Sequence, residues 1–190
     1  MTARNKWIAL LLCTVLLLAA GCSDAVPVLD TDPVRLAQET DKPKPAEAVK
    51  PQDSMRITVY RATKDAMNLV PEVHVVDKND NPAKTAIGLL TAEPLDKSLV
   101  RVVPYNTALL GLKIQNGVAY ANFSQNIRRF GGGSANEILL VAAIVNTLTE
   151  FPEIKSVQIL VEGKKVDSLG GHLDVSEPLS RSESMIKKAK

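Results

Sequence analysis

Few residues in this chain of 190 could carry out chemistry, since it contains only two histidines and two cysteines. His74 lies in the segment EVHVV and His172 in the segment GGHLD. His172, Asp167 and Asp174 form the one polar group that could act in acid–base catalysis, because an imidazole beside a carboxylate can exchange protons near neutral pH. A loop histidine held by a neighbouring carboxylate is more often structural. We therefore interpret His172 as a structural residue.

Other kinds of catalytic site lack the residues that they need. Two histidines without an exported thiol give no metal-ligand spacing, and Ser134 lacks the flanking residues of a nucleophile elbow. No spacing of the carboxylates in the sequence gives a reason to place two of them at the separation that glycoside hydrolysis requires. The sequence therefore predicts a protein that is not an enzyme and that uses neither a cofactor nor a metal ion.

Three glycines open the stretch FGGGSANEILLVAAIVNTLTEF, residues 130–151, as they do in some phosphate-binding loops. Such a loop has a lysine after its glycines and a strand before them, and this stretch has neither. We expect Ser134 and Glu137 to form a capping box at the start of a helix. The twelve uncharged residues between Glu137 and Glu150 are too few to cross a bilayer.

The first residues decide the compartment in which the rest of the chain works. Arg4 and Lys6 precede the apolar run WIALLLCTVLLLAA, which is typical of an export signal. The segment LLLAAGC resembles a bacterial lipobox, in which a peptidase cleaves before a cysteine that becomes acylated. Cleavage is expected to remove residues 1–21 and to leave lipidated Cys22 as an anchor on the extracytoplasmic face of the cell membrane. The alternative is an uncleaved anchor, but fourteen residues are too few to cross about 30 Å of hydrocarbon comfortably.

Loss of the signal also changes the charge and the cysteine content. Residues 1–21 contain two basic residues and no acidic ones, so that 21 of each remain. A formally neutral chain lacks the basic surplus of nucleic-acid-binding proteins, and we expect no nucleic-acid partner. Cys13 leaves with the signal and Cys22 is acylated, so no disulfide is expected. The exported domain must therefore be stabilised by an apolar core.

Composition divides the remaining chain into three parts. Residues 22–54 contain five prolines among charged residues and alanines, which predicts a disordered tether. A proline-rich ligand for a partner is the alternative for this segment. Residues 55–178 have the apolar periodicity of a single folded domain. Residues 179–190 are predicted to form a polar C-terminal tail.

The pattern of elements predicts an α+β domain. The segments MRITVYRAT and LVPEVHVVD alternate as strands, and Asn81 and Pro82 are expected to start a first helix. Asn116 and Gly117 predict a type I′ hairpin turn. The hairpin would place one set of apolar residues on a common face, namely Leu110, Leu112, Ile114, Ala119, Ala121 and Phe123. We expect a compact two-layer domain in which two helices cover one face of a mixed or antiparallel sheet.

One face of the second helix is small and uncharged, whereas a solvated helix face usually contains lysine and glutamate. We expect a neighbour to cover this face. That neighbour is either the first helix or another molecule, and the sequence leaves both alternatives open. The residues predicted for contact with a partner are Leu139, Ala142, Ala143, Asn146 and Glu150.

An ordered series of segments resembles the GerMN domain of bacterial sporulation and germination lipoproteins. The segments are VVPYNTALLGLKIQNGVAYANFS, IVNTLTEFPEIKSVQILVEGK and LGGHLD, and the resemblance covers about residues 55–178. It implies a compact domain similar to the ring-building modules of secretion machines, and an accessory role at the cell envelope in sporulation or germination. The family's best-known members contain tandem copies, whereas this chain contains one.

Two functions are therefore expected. The first is a membrane-anchored lipoprotein without catalytic activity that docks a protein partner or further copies of itself at the cell envelope. The alternative is a wall module that binds or acts on peptidoglycan. A sugar-binding groove usually contains aromatic side chains, and the exported chain has no tryptophan and three tyrosines, Tyr60, Tyr105 and Tyr120.

Overall fold

The computed structural model describes residues 53–188 of the chain. The predicted signal segment, Cys22 and the tether as far as residue 52 lie outside the described residues. Within them the elements are β1 Ser54–Thr63, β2 Leu69–Asp77, α1 Pro82–Thr91, β3 Leu99–Val100, β4 Leu109–Gln115, β5 Val118–Phe123, α2 Ser134–Leu148, β6 Ser156–Val161, β7 Lys164–Lys165 and β8 Leu179–Ser180. Short 3-10 turns occur at Gln125–Arg128 and Glu183–Met185.

The strands form two sheets, and with the two helices they give the predicted α+β fold. Sheet A has the order β2-β1-β3, and sheet B has the order β4-β5-β6-β7 with β8 also paired to β6. Strands β5 and β6 are parallel and α2 connects them, whereas the other pairs within the sheets are antiparallel. The sequence predicts a single sheet, whereas the structure has two. The division arises because β3 pairs with β1 only at Ala62 and Thr63, so that no long strand continues sheet A on that side.

The hairpin turn between β4 and β5 is confirmed. Asn116 has φ of 53° and Gly117 has φ of 78°, the left-handed conformations that a type I′ turn requires. The strand register follows from this turn, with the pairs Gln115↔Val118, Ile114↔Ala119 and Leu112↔Ala121.

A β-bulge changes the far end of the same hairpin. The register shifts between Leu109 and Gly111, and Leu109 rather than Leu110 lies opposite Phe123. A bulge inserts an extra residue on one strand and turns its side chain out of the alternating pattern. Leu110 is consequently 50 % exposed, and its predicted place on the apolar face is wrong.

Helix α1 begins at Pro82, as predicted, but the Asn81 side chain forms no capping hydrogen bond. Instead, Asn79 Oδ1 accepts hydrogen bonds from the Asn81 amide at 3.0 Å and from Thr85 Oγ1 at 3.2 Å. The side chain two residues earlier therefore fixes the first turn.

The start of α2 also differs from the prediction. The N-cap residue is Gly133, no side chain caps the helix, and Ser134 is the first helical residue. The predicted capping box of Ser134 and Glu137 is therefore wrong. Glu137 is fully buried, and its carboxylate binds a distant loop instead of the helix terminus.

Helix α2 is buried on almost every side, since it contacts β1 and α1 as well as β6 and β8. The buried residues include Leu139, Ala142, Ala143, Asn146 and Thr147. The prediction that Leu139, Ala142, Ala143 and Asn146 meet a partner molecule is wrong, because the chain itself covers this part of the face. Small side chains allow this close packing, and Thr147 Oγ1 accepts the Tyr60 amide of β1 at 3.0 Å.

The C-terminal segment, residues 179–188, belongs to the folded domain. Residues 179–180 form β8 on the edge of β6, Ile186 bridges to Leu69 of β2, and the Lys187 amide donates to the Leu69 carbonyl at 2.8 Å. Met185 and Ile186 pack against the core. The predicted domain end at residue 178 is therefore too early.

A single apolar cluster joins the two sheets and the two helices. It combines residues of β1, α1, β5, α2 and β6 with Ile127, Ile154, Leu169 and Val175 from the connecting loops. Within residues 53–188, neither helix is long and apolar enough to cross a membrane.

Candidate binding surfaces

A cleft of about 520 Å³ lies beside the end of β1 and the loop that follows β3. Three cationic residues line it, Lys64, Arg101 and Arg129, and none of its lining residues is acidic. Its apolar wall comes from Val102, Val103, Pro104, Phe130 and Leu139. We call this feature the cationic cleft.

One end of the cationic cleft is formed by Tyr105, whose side chain is 70 % exposed. The guanidinium carbon of Arg101 lies 3.2 Å from the centre of the tyrosine ring, which is cation–π geometry. Glu93 fixes both side chains, since its Oε1 accepts the Tyr105 hydroxyl at 2.9 Å and lies 3.6 Å from Arg101 Nε. The aromatic ring is thus held in place although solvent surrounds most of it.

The other two cations of the cleft are exposed and unpaired. Neither Lys64 nor Arg129 has an acidic partner within 4.0 Å among residues 53–188. Lys64 lies in the turn between β1 and β2, in which Ala66 has a positive φ of 55°. A non-glycine residue pays about 1–2 kcal/mol for that conformation, so the turn stays in place only because its surroundings hold it.

Strand β2 exposes apolar side chains and buries charged ones. Val75 is 68 % exposed and Val73 is 41 % exposed, whereas Glu72 and His74 between and beside them are buried. No strand of the described part of the chain pairs with the outer edge of β2, apart from the bridge at Leu69. This edge therefore combines free backbone groups with exposed valines.

Two buried charged residues, one on β1 and one on β2, hold α1 on sheet A. Arg61 of β1 is fully buried and donates to the carbonyls of Leu89, Leu90 and Ala92 at 2.8–2.9 Å. These carbonyls belong to the end of α1, where helical partners are missing and a cation is favoured. Glu72 Oε1 lies 3.3 Å from Arg61 Nε, and the Glu72 carboxylate also accepts the amide of Leu95. Arg61 and Glu72 thus have structural partners throughout.

The Glu137 carboxylate binds the glycine loop that contains His172. Its Oε1 accepts the amides of Leu169 at 3.0 Å and Gly170 at 2.8 Å, and its Oε2 accepts the amide of His172 at 2.9 Å. Burial raises the pKa of Glu137, but these backbone hydrogen bonds outweigh burial and hold the pKa below its ordinary value. A Cβ atom on Gly170 would lie 2.5 Å from the ring of Phe130, so a larger residue here would force the Phe130 side chain to shift.

The predicted acid–base group of His172, Asp167 and Asp174 lies around a shallow, open depression. Hydrogen bonds from the Ser176 hydroxyl and amide lower the pKa of Asp174, whereas a general acid at neutral pH needs a raised carboxyl pKa. His172 is exposed, and the contact that fixes it is its backbone amide. These observations support the structural interpretation of His172.

The C-terminal segment covers the end of the predicted partner face. Glu150 is paired twice, because its Oε1 accepts the Tyr60 hydroxyl at 2.7 Å and lies 2.8 Å from a guanidinium nitrogen of Arg181. Arg181 also contacts Glu183 and donates to the Asn146 carbonyl at 3.1 Å. Burial and the Glu150 hydrogen bond raise the pKa of Tyr60, which keeps its hydroxyl a donor. Asn146 and Glu150 therefore serve an internal contact.

Sequence reasoning missed Arg61, Glu72 and the cationic cleft. Arg61 lies on the same face of β1 as the buried residues Ile57 and Val59. A charged residue at a core position was therefore the signal that could have identified Arg61 and Glu72. The cleft had no comparable signal, because its cations come from three separated loops. Within residues 53–188, no group of three or more histidine, cysteine, aspartate or glutamate residues could hold a metal ion.

A family model matches residues 58–167, and its family is Germane, described as sporulation and spore germination. No curated protein matches the chain significantly.

Several solved structures are similar to this chain. The tandem GerMN domains of the sporulation protein GerM from Bacillus subtilis match with a TM-score of 0.60 and 23 % identity over 67 % of this chain and 46 % of that one. The chain therefore spans about half the length of that structure. The first GerMN domain alone matches with a TM-score of 0.60 and 24 % identity over 67 % of this chain and 98 % of that one. A candidate lipoprotein from Clostridium perfringens matches with a TM-score of 0.50 and 30 % identity over 67 % of this chain and 87 % of that one.

Proposed function

Because this chain belongs to the Germane family of sporulation and spore germination proteins, we propose that it is a lipoprotein without catalytic activity that docks a protein partner at the cell envelope. Lipidated Cys22 anchors it on the extracytoplasmic face of the membrane. The domain of residues 53–188 then presents the outer edge of β2 to an extended segment of the partner. The lipobox-like segment LLLAAGC and the similarity to a candidate lipoprotein support the anchor.

The observation that supports docking at β2 is the coincidence of free backbone groups and exposed valines. In an antiparallel pair, the N–H and C=O groups of alternate residues point toward and away from the partner strand. The Tyr60 amide donates to Thr147 rather than to β2, so the backbone groups of its partner Pro71 point outward. Val73 and Val75 share this parity in the register. Their amides and carbonyls are therefore available for strand addition beside their own exposed side chains.

Pro71 limits the available edge at one end. Proline has no N–H to donate, and it is tolerated on edge strands for this reason. A partner strand can therefore pair with β2 from Val73 toward Asp77, a short stretch that gives specificity without an open aggregation edge.

A membrane pull-down with the intact lipoprotein tests this proposal. Val75→Pro removes one outward-pointing amide that forms no hydrogen bond with β1. Val75→Lys keeps the backbone groups but removes the apolar contact. Both variants should fold, because position 75 is mostly exposed. We expect each to reduce partner capture by about tenfold, the loss of about 1.4 kcal/mol. Ile114→Lys, on the outer edge of β4 and 40 % exposed, is the matched control and should capture partner normally.

Two results would contradict the proposal. Equal capture by the two Val75 variants and the unmodified protein would remove β2 as the docking edge. Loss of capture in Ile114→Lys alone would place the contact on sheet B instead.

A second function, binding of a wall glycan, is supported by a different observation. The cationic cleft combines unpaired cations with an exposed, fixed tyrosine. It lies on loops rather than on the edge of β2, so the two functions do not compete for one surface.

A further inference from the structure

We propose that the cationic cleft binds a saccharide chain that bears anionic groups, phosphate or carboxylate, of the kind found in cell-wall polymers. The inference depends on the extracytoplasmic location given under the proposed function, and it is independent of docking at β2. A polymer segment would place an anionic group between Lys64 and Arg129 and a sugar ring against Tyr105.

The charge of the cleft selects the anionic group. Its lining includes three cations and no acid, although the mature chain is formally neutral in sequence. Arg101 shares its charge with Glu93 at 3.6 Å, and Lys64 also acts electrostatically on Asp96. Within residues 53–188, Lys64 and Arg129 are the cations of the cleft that have no acidic partner within 4.0 Å. A concave site lined by one sign of charge concentrates ions of the opposite sign. Arginine and lysine together suit phosphate and carboxylate oxygens.

Tyr105 indicates that the anion belongs to a saccharide. Most tyrosines with a free, exposed ring are mobile, but Arg101 covers one face of this ring and Glu93 holds its hydroxyl. The ring can therefore offer its other face to the apolar side of a sugar without further loss of side-chain entropy. Val102, Val103 and Pro104 extend this apolar surface into the cleft.

The shape of the cleft is already formed by the surrounding loops. The Asn136 side chain binds the Gly131 carbonyl, which fixes the glycine turn before α2 against the wall of the cleft. Ala66 is held in its left-handed conformation in the turn between β1 and β2, on another side of the cleft. A volume of about 520 Å³ is within the range of about 300–1,000 Å³ typical of ligand sites.

The test uses the full lipidated chain in nanodiscs of neutral lipid and measures affinity by calorimetry. Three soluble probes are compared at equal length, a poly(glycerol phosphate), a polygalacturonate and a neutral dextran, with inorganic phosphate as a small anion. Lys64→Gln with Arg129→Gln should weaken binding of the anionic polymers by at least about tenfold, because two charge-assisted contacts to the anionic group are lost. The double variant Arg56→Gln with Lys164→Gln removes the same charges from exposed positions outside the cleft and should bind normally.

The two sources of anionic groups are separated by the polymer arms, since the preferred polymer identifies phosphate or carboxylate as the recognised group. Tyr105→Ala should weaken binding of the preferred polymer by about fivefold and leave binding of inorganic phosphate unchanged, whereas Tyr105→Phe should retain polymer binding. A preference for either anionic polymer over dextran, lost in the cleft variant only, supports the proposal.

Three results would overturn it. These are equal losses in the cleft and control double variants, equal binding of dextran, or capture of anionic phospholipid vesicles as strong as capture of the polymers. The last result would assign the cleft to a membrane surface. Unchanged partner capture by the Val75 variants, together with polymer binding that depends on the cleft, would refute docking at β2 and leave this inference standing. Reduced capture by the Val75 variants without polymer binding that depends on the cleft would do the opposite.

Discussion

The side chain of Asn146 and the backbone of Ser182 form two hydrogen bonds in opposite directions. Asn146 Nδ2 donates to the Ser182 carbonyl at 3.0 Å, and the Ser182 amide donates to Asn146 Oδ1 at 2.9 Å. An asparagine side chain thus pairs with the C-terminal segment in the way that a strand would. Asn146 is fully buried, so water cannot reach Ser182 from the helix side to replace the two hydrogen bonds.

Asn146→Ala is expected to release the C-terminal segment from α2. Both Ser182 groups would lose their partner, and we expect the free energy of unfolding to fall by about 1–3 kcal/mol. Amide hydrogen exchange at residues 179–187 measures the release directly. Asn126→Ala, which removes one exposed hydrogen bond to the Asn106 carbonyl, should leave exchange at these residues unchanged. Unaltered protection in Asn146→Ala would show that other contacts hold the segment.

Glu137 should make the stability of the domain depend on acid pH. Its folded-state pKa is lowered below the ordinary value of about 4.5, so its stabilising contribution is complete above that value and is lost as the pH falls through the folded-state pKa. Glu137→Gln presents an amide nitrogen to a backbone donor and should cost about 2–4 kcal/mol at pH 7.

Urea unfolding of both proteins between pH 3 and pH 7 measures this effect. The difference in unfolding free energy between them should shrink as the pH falls below about 4.5. The lowered pKa values of Asp65, Asp96 and Asp174 act equally in both proteins and cancel in that difference. A difference that stays constant with pH would refute the assignment to Glu137.

A charge at position 143 should destabilise the fold rather than disrupt an interface. Ala143 is fully buried, and Ala143→Glu would place an unpaired carboxylate in the core at a cost of several kcal/mol. Ile138→Glu on the same helix is the control, because Ile138 is 36 % exposed and its change should cost about 1 kcal/mol or less. Thermal melting by circular dichroism compares the two. Equal melting temperatures would restore the partner-facing interpretation of this helix face.

Cys22→Ser is expected to abolish fatty-acid labelling and to release the protein from membranes, since the acylated thiol is lost. Cys13→Ser should keep both properties, because Cys13 lies in the part of the chain that the proposed signal cleavage removes. Radiolabelled palmitate incorporation, followed by membrane fractionation, distinguishes the two variants. Continued incorporation into Cys22→Ser would refute lipidation at this residue.

The sequence predicted the structure well where the deciding interactions join residues that are adjacent in the chain. The turn at Asn116 and Gly117 was predictable because two adjacent residues supply the required positive φ values. The capping box at Ser134 and Glu137 was wrong because Glu137 finds three amides in a loop more than thirty residues away, a partner that no short motif records. The hydrogen bonds that a buried carboxylate forms with distant amides stabilise the fold more than a hydrogen bond at the helix terminus would.

The candidate sites were less predictable than the fold for a related reason. The face of α2 was correctly expected to have a neighbour, but the sequence did not decide between the chain itself and another molecule. Strand β1, helix α1 and the C-terminal segment cover the face, and the part formed by Ser182 against Asn146 lay in a segment predicted to be a polar tail. The exposed valines of β2 follow from the burial of Glu72 on the opposite parity, and that burial depends on Arg61 in the neighbouring strand.

The contact between Arg181 and Tyr60 joins distant parts of the chain, and we expect it to form late in folding. These residues are 121 positions apart in the chain, and contacts at such separations form late because closing the intervening loop costs entropy. A chain exported with its N-terminal end first would deliver Tyr60 and Glu150 long before Arg181. If the chain is exported as proposed, the domain is therefore expected to complete its folding only after nearly all of it has crossed the membrane.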